Sequence, residues 1–372
     1  MESIKVRFTK SPNKNYEILI AAGLLQKIAA YLNKKKIGER YVIITDKNVS
    51  RLYGKNLQKK LTEAGIKSFL IDFPGGEKNK TLQTAEKIIN QMLKLKINRR
   101  DSIISLGGGV VSDLAGFVAS TYMRGISLVQ APTTLLGMVD ASIGGKNGVN
   151  LDAGKNLLGT IYQPKTVLID PNVLKTLSPD EWENGFAEII KYSIIVKSPL
   201  LRILETLTIS QLKSKKSFLN TIIIQCTKIK ASIIEKDELE NDSRIMLNYG
   251  HTIGHAIETY LGYSVSHGKA VTLGIKLINF LAIKLDLLNK KDHSRIQKLI
   301  NQYVNTTNLE HKIIYKKSLS KIWQILQNDK KVQKSKIHFV IPKSVGQMTI
   351  QSHITKENFI NILASFNDEK HH

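Results

Sequence analysis

With 372 residues, 42% of them hydrophobic and 23% charged, the chain has the balance of a globular protein with a sizeable core, which excludes the disordered and fibrous classes. Its formal charge of +24 raises nucleic acid, anionic membrane or a phosphorylated small molecule as partners. The lysines, however, are scattered, as at Lys34–Lys36, Lys59–Lys60 and Lys215–Lys216, without the interleaved aromatics of a single-strand-binding face, so no nucleic-acid partner is expected.

The first ten residues carry Glu2, Lys5, Arg7 and Lys10 where a secretory signal would be apolar. No segment reaches the roughly 18 uninterrupted apolar residues of a membrane span. Cys226 is the only cysteine, so no internal disulfide forms; the expectation is a cytoplasmic protein with no membrane partner. One compact core serves roughly 100 to 200 residues, which predicts two domains here.

In chain order, the β-branched run Tyr41–Thr45 is followed by a helical pattern to Ala64 and the strand Ser68–Ile71. A helix through Ala85 to Leu95 leads to the strand Ser102–Leu106, a glycine turn and a helix starting near Ser112. The strands Ser127–Gln130 and Thr166–Ile169 continue the series. Such βαβ alternation builds a mostly parallel sheet with helices on both faces. After Asp170-Pro171, longer 3.6-residue patterns take over up to about Asn328. The entrance is marked by Ser178, Pro179 and Glu181, which match an N-cap, a first helical position and the close of a capping box. The expected domains are 1–172, α/β, and 173–372, helical. No internal repeat is present.

Gly107-Gly108-Gly109-Val110 follows a buried-strand pattern and opens a helix. Glycines there let the backbone approach a pyrophosphate, and the helix N-terminus offers free N–H groups. It is not a Gly-x-Gly-x-x-Gly pattern, and a tight βα turn with no ligand reads equally well from these residues alone. Asp113 and the loop Pro74–Lys80 place further polar groups at neighbouring strand ends, where open α/β sheets bind nucleotides. Arg124-Gly125, Pro132–Leu136, Asp140–Lys146 and Lys155-Asn156 add cations, hydroxyls and an amide suited to a phosphorylated, polyhydroxylated ligand. Each of those charges alone reads as solvated surface.

Glu188 and Lys191 stand three apart on one predicted helix face, the spacing of a structural salt bridge or of a site. His251 and His255 stand four apart, and His267 follows sixteen positions after His251. Two imidazoles and a carboxylate with an open position make a catalytic zinc site, whereas a structural site would want cysteines that this chain lacks. A histidine pair without a metal is the alternative.

Taken in order, Gly-Gly-Gly-Val-x-x-Asp, Arg-Gly, Pro-Thr-Thr-Leu-Leu, Val-Asp-x-Ser-Ile-Gly-Gly-Lys, Lys-Asn-x-x-Gly, Glu-x-x-Lys, Leu-Asn-x-Gly-His-Thr-x-Gly-His-x-Ile-Glu and His-Gly resemble the 3-dehydroquinate synthase family of sugar-phosphate cyclases, from about Asp46 to Lys331. The resemblance implies an α/β N-terminal domain with a mostly parallel, Rossmann-like sheet and an all-α C-terminal domain. It implies NAD bound by Asp46, Asn48, Glu77, Lys80, Gly108, Gly109, Val110, Asp113, Thr133, Thr134, Lys155 and Thr176. Zinc or cobalt would be held by Glu188, His251 and His267, with His255 transferring protons and Glu240 as a second proton acceptor. Substrate positions are Asp140, Lys146, Asn156, Lys191, Lys230, Arg244, Asn248 and, of the late Asp329-Lys330-Lys331, Lys331; Lys230, Arg244 and Asn248 match the carboxylate. Arg124 matches an arginine that reaches a partner subunit, which implies a homodimer.

The implied reaction turns 3-deoxy-D-arabino-heptulosonate 7-phosphate into 3-dehydroquinate and phosphate. It proceeds through transient oxidation by NAD, β-elimination of phosphate, reduction and intramolecular aldol closure. Alternatives are another sugar-phosphate cyclase, or a metal-dependent alcohol dehydrogenase of the glycerol dehydrogenase type. Arg244 with Lys230 favours a substrate with a carboxylate. Three positions depart from the family pattern: Gly137 for alanine, Ala141 for serine, and Asp242 for a glycine ahead of Arg244, which adds a negative charge there.

Overall fold

The computed structural model describes residues 1–9, 11–152, 154–240, 243–328 and 336–366. The chain forms two compact units, Met1–Ser178 with Leu219–Leu239, and Pro179–Phe218 with Glu240–His372.

In the first unit the strands are β1 (Glu2–Val6), β2 (Tyr16–Ile20), β3 (Tyr41–Asp46), β4 (Ser68–Phe73), β5 (Ser102–Gly107), β6 (Ser127–Pro132), β7 (Lys146–Leu151), β8 (Gly154–Ile161) and β9 (Thr166–Ile169). Seven of them make one sheet in the order β1-β2-β9-β6-β5-β3-β4, and β7 pairs with β8 in a separate hairpin. Apart from the antiparallel β1–β2 pair, the sheet is parallel. Strands β3 and β5 read as continuous apolar runs because both their faces are covered. Val42, Ile44, Ile103 and Leu128 pack with Val111, Leu114, Ala115 and Val118 of the Gly109–Thr121 helix. From β3 the chain moves outward to β4, then returns across β3 to β5 and continues to β6 on the other side. The boundary between β3 and β5 is thus a topological switch point, where strand C-termini leave a crevice for ligands.

Sequence periodicity anticipates β3, β4, β5, β6 and β9 but not β1, β2 or the β7–β8 hairpin. Strand β1 shows only two buried positions in five, and no glycine pair marks its connection to β2. The helix after β5 begins at Gly109, three residues before Ser112, because Gly108 is its N-cap.

The second unit is built mainly of helices, among them Pro179–Ile195, His251–Tyr260, His267–Lys284, Lys290–Tyr303 and Lys316–Asn328. It departs from an all-α expectation in one hairpin, β10 (Phe339–Ser344) with β11 (Gln347–Gln351). Gly346, at φ +84°, supplies the left-handed residue its turn requires, and Pro342 within β10 hides the strand pattern in the sequence. The helices His251–Tyr260 and His267–Lys284 lie close because they meet through glycines. A Cβ on Gly274 would stand 2.1 Å from the Gly250 oxygen, and one on Gly254 would stand 2.9 Å from Val271 Cα. Gly268 likewise lies against Asn184 of the Pro179–Ile195 helix, whose Oδ1 accepts its N–H at 2.5 Å. Those contacts bring the N-termini of two helices beside the middle of a third. Among the described residues no helix is long and apolar enough to cross a membrane.

Candidate active site

Two clusters of polar groups stand out, one in each unit. In the first, the C-terminal ends of β3 to β6 present Asp46, the Glu77–Lys80 turn, the glycine turn and Thr133-Thr134. Asp46 caps the turn after β3, accepting from Asn48 N at 2.8 Å and Val49 N at 3.0 Å. The helix from Gly109 has glycine as its N-cap and no side-chain cap, so its first amides have no side-chain acceptor. Gly107 is demanded by the protein itself, since a Cβ there would lie 2.4 Å from Val111 Cγ2. Gly109 is not: a Cβ would meet only Ala141, at 3.6 Å. A glycine the fold does not need, at an open helix N-terminus, is what the close approach of a pyrophosphate requires.

Lys80 lies at the centre of this cluster, buried, with Nζ 2.8 Å from Asp113, 3.3 Å from Glu77 and 2.6 Å from Asn156 Oδ1. Burial opposes its charge, yet Asp113 and Glu77 outweigh burial and hold the ammonium above its ordinary pKa. The Glu77 carboxyl is held low against burial, by Lys80 and then by Asn150 and Lys155. Burial pushes Asp113 up even beside Lys80. Also in this unit, Lys230 Nζ donates to the Asp140 carbonyl and carboxylate, both at 2.7 Å. Lys146 is exposed at the start of β7, and Thr134 Oγ1 accepts from Gly137 N at 3.0 Å. Thr176 Oγ1 lies 2.6 Å from Tyr53 Oη.

In the second unit Glu188 is completely buried, ion-paired to the equally buried Lys191 one helical turn on. His251 Nε2 approaches Glu188 Oε1 at 3.3 Å and His267 Nε2 approaches it at 3.7 Å. Donor atoms of Glu188, His251 and His267 all lie within 4.8 Å of one another. His251 Nδ1 lies 3.1 Å from the Tyr249 carbonyl, and His267 Nδ1 lies 3.4 Å from Glu258 Oε2. In each ring Nε2 is therefore the nitrogen that faces Glu188, and with Nδ1–H donated its lone pair would be free for a cation. Lys191 pairs with Glu188 Oε2, while Oε1 faces the two imidazoles.

Burial works against ionisation of Glu188, but Lys191 and His251 overcome it and hold the carboxyl well below the usual range. Burial and Lys191 lower His251, which favours its neutral imidazole. Burial would lower His267 too, yet Glu188 and Glu258 outweigh it and push it up to about 10. One carboxylate, two imidazoles and an open side fit zinc or cobalt. His255 stands beside the group, its ring 5.4 Å from His251 and 5.8 Å from His267. Arg244 is buried, and Asn248 Nδ2 donates to Glu240 Oε1 at 3.0 Å.

Arg124 joins neither cluster. It is exposed beyond the C-terminus of the Gly109–Thr121 helix, about 20 Å along that helix from the glycine turn at 1.5 Å per residue. Lys331 and Asp242 lie outside the described residues. Two residues given no role in the sequence stand in these clusters: Glu258, bonded to His267, and Asn150, bonded to Glu77. For Glu258 there was a signal, since it lies seven positions after His251 and three after His255, on the same helix face.

Comparison with known proteins points to one family. The family model "3-dehydroquinate synthase N-terminal" matches residues 70–184, and "3-dehydroquinate synthase C-terminal" matches residues 185–332. A 3-dehydroquinate synthase from Rippkaea orientalis is 40% identical over 351 residues, 94% of this chain and 95% of the relative. One from Synechococcus is 41% identical over 357 residues, 95% and 96% of the two chains. Among solved structures, a 2-deoxy-scyllo-inosose synthase complexed with carbaglucose-6-phosphate, NAD+ and Co2+ is similar with a TM-score of 0.86 at 25% identity, over 98% of this chain and 99% of that one. A 2-epi-5-epi-valiolone synthase from Streptomyces hygroscopicus, with NAD+ and Zn2+, gives 0.84 at 26%, over 95% and 97%. A probable glycerol dehydrogenase from Sinorhizobium meliloti shares the fold alone, at 0.64 and 14%, over 95% and 97%. By two family models that together span more than half its length, and by relatives near 40% identity over almost all of it, this chain belongs to the 3-dehydroquinate synthase family.

Proposed function

We propose that the chain converts 3-deoxy-D-arabino-heptulosonate 7-phosphate to 3-dehydroquinate and phosphate, a lyase step of the shikimate pathway toward aromatic amino acids. The observation that carries this is the Glu188–His251–His267 cluster, whose donor atoms all lie within 4.8 Å of one another around a buried carboxylate. NAD is the proposed cofactor, with zinc or cobalt as the metal; bound, they supply reversible hydride acceptance and Lewis acidity toward an alcohol oxygen.

The chain's own residues divide as follows. The amides of Gly108, Gly109 and Val110 receive the pyrophosphate, and Asp46, Asn48, Glu77, Lys80, Asp113, Thr133, Thr134, Lys155 and Thr176 complete the dinucleotide site. Lys146, Asn156 and Lys191 hold and stabilise the substrate phosphate as it leaves, and Lys331 is proposed as a further contact to it. Asp140 orders Lys230 by the two bonds it accepts. Lys230, Arg244 and Asn248 are assigned to the carboxylate, and His255 and Glu240 to proton transfer. Arg124, exposed and far from its own glycine turn, is proposed to serve the second subunit of a homodimer. The sole cysteine, Cys226, is a buried free thiol, which suits the proposed cytoplasmic location.

The test is direct. Enzyme, NAD, zinc or cobalt and the heptulosonate phosphate should release stoichiometric phosphate with no net rise in NADH absorbance. Accumulating NADH without phosphate would identify a simple dehydrogenase. Faster phosphate release from sedoheptulose 7-phosphate or glucose 6-phosphate would identify a different cyclase.

A further inference from the structure

The β7–β8 hairpin carries Lys146, Lys155 and Asn156, and its pairing register shifts between Val149 and Leu151, at Asn150. A bulge of this kind frees one residue from the ladder and re-aims it. Asn150 uses that freedom fully. Its backbone N donates to the Lys80 carbonyl at 2.7 Å, and it forms a parallel bridge with Thr81. Its side-chain Nδ2 donates to Glu77 Oε1 at 2.8 Å and to the Glu77 carbonyl at 3.3 Å, while its Oδ1 accepts from Asn156 N at 3.0 Å. Asn156 is held at φ 54°, a left-handed conformation that such a bond helps to fix, and its own Oδ1 accepts from Lys80 Nζ.

Both ends of one amide are therefore used in opposite senses, as donor to the Glu77–Lys80 turn and as acceptor from the hairpin. We infer that Asn150 is a positioning residue that locks the hairpin to the Glu77–Lys80 turn, so that occupancy of the dinucleotide site and of the phosphate-holding hairpin become thermodynamically linked. The inference rests on the function proposed above and extends it: neither ligand needs to touch Asn150. Only an amide satisfies both neighbours. A carboxylate keeps the bond from Asn156 but sets a like charge against Glu77, and alanine loses all three side-chain bonds.

The experiment measures NAD dissociation constants without turnover, by fluorescence titration of the zinc-loaded enzyme with and without saturating inorganic phosphate. In the unaltered enzyme phosphate should tighten NAD binding by about tenfold, and by linkage NAD should tighten phosphate equally. Asn150→Asp and Asn150→Ala should abolish that linkage. Adding Glu77→Gln to Asn150→Asp should restore part of it relative to Glu77→Gln alone, because the amide and carboxylate then exchange places. Linkage that survives Asn150→Ala, or is absent from the unaltered enzyme, overturns the inference. Should Asn150→Asp fail to fold, Asn150→Ala decides. Failure of the function itself would appear separately, as no phosphate release from the heptulosonate phosphate.

Discussion

At the scale of single residues, Glu258 shows how a group outside the proposed ligand set can position one within it. It is buried and meets His267 Nδ1 at 3.4 Å, which presents the opposite ring nitrogen to Glu188. Removing such a partner costs about 10- to 100-fold in metal affinity. Glu258→Gln, which can still accept a bond, should weaken zinc binding less than Glu258→Ala, as read by competition with a chromophoric chelator. Equal affinity in both variants and the parent would mean that His267 is oriented by packing alone. The spacing of Glu188, His251 and His267 is visible in the sequence, and their convergence is expected there only from the family resemblance, not from spacing. Nothing in the chain's order says that Nε2 of residue 251 and Nε2 of residue 267 both face one oxygen of residue 188.

At the scale of elements, the glycines separate two physical demands. At Gly107 an added Cβ would press on Val111 at 2.4 Å, whereas at Gly109 it would find open space apart from Ala141. Gly107→Ala should therefore destabilise the fold by roughly 1–3 kcal/mol, the usual cost of overpacking. Gly109→Ala should leave the melting temperature unchanged or slightly higher, since alanine is the better helix former. It should nevertheless weaken NAD binding by about tenfold, or roughly 1.4 kcal/mol. Thermal melts and NAD titrations of the two variants check this pair, and a Gly109→Ala protein that binds NAD like the parent would refute the pyrophosphate assignment. The sequence marked this turn as glycine-rich but offered no means of telling which glycine serves packing and which serves a ligand.

For the whole molecule, the second unit holds a buried carboxylate, Glu188, with two imidazoles close enough to share a cation with it. A cation that binds only the folded state adds stability by mass action, about 2.7 kcal/mol at 100 times its dissociation constant. Chelated protein titrated with zinc should show that gain as a rising melting temperature, and Glu188→Ala should remove it. A gain that persists in Glu188→Ala would place the metal elsewhere. The sequence by itself determined the parallel strands β3, β4, β5, β6 and β9, the helical character of most of the second unit, and the residue types of both clusters, because these follow from local periodicity and spacing. Tertiary structure decided the rest. The Lys216–Lys236 helix has an apolar face that states only that it is buried; its Lys230 bond to Asp140 and the Glu235 bond to Arg7 N set it, from Leu219, with the sheet. Strands β1 and β2 and the bulge at Asn150 likewise depend on partners far along the chain. Periodicity reports how a segment divides between core and solvent, and which neighbour supplies that core is a property of the folded chain alone.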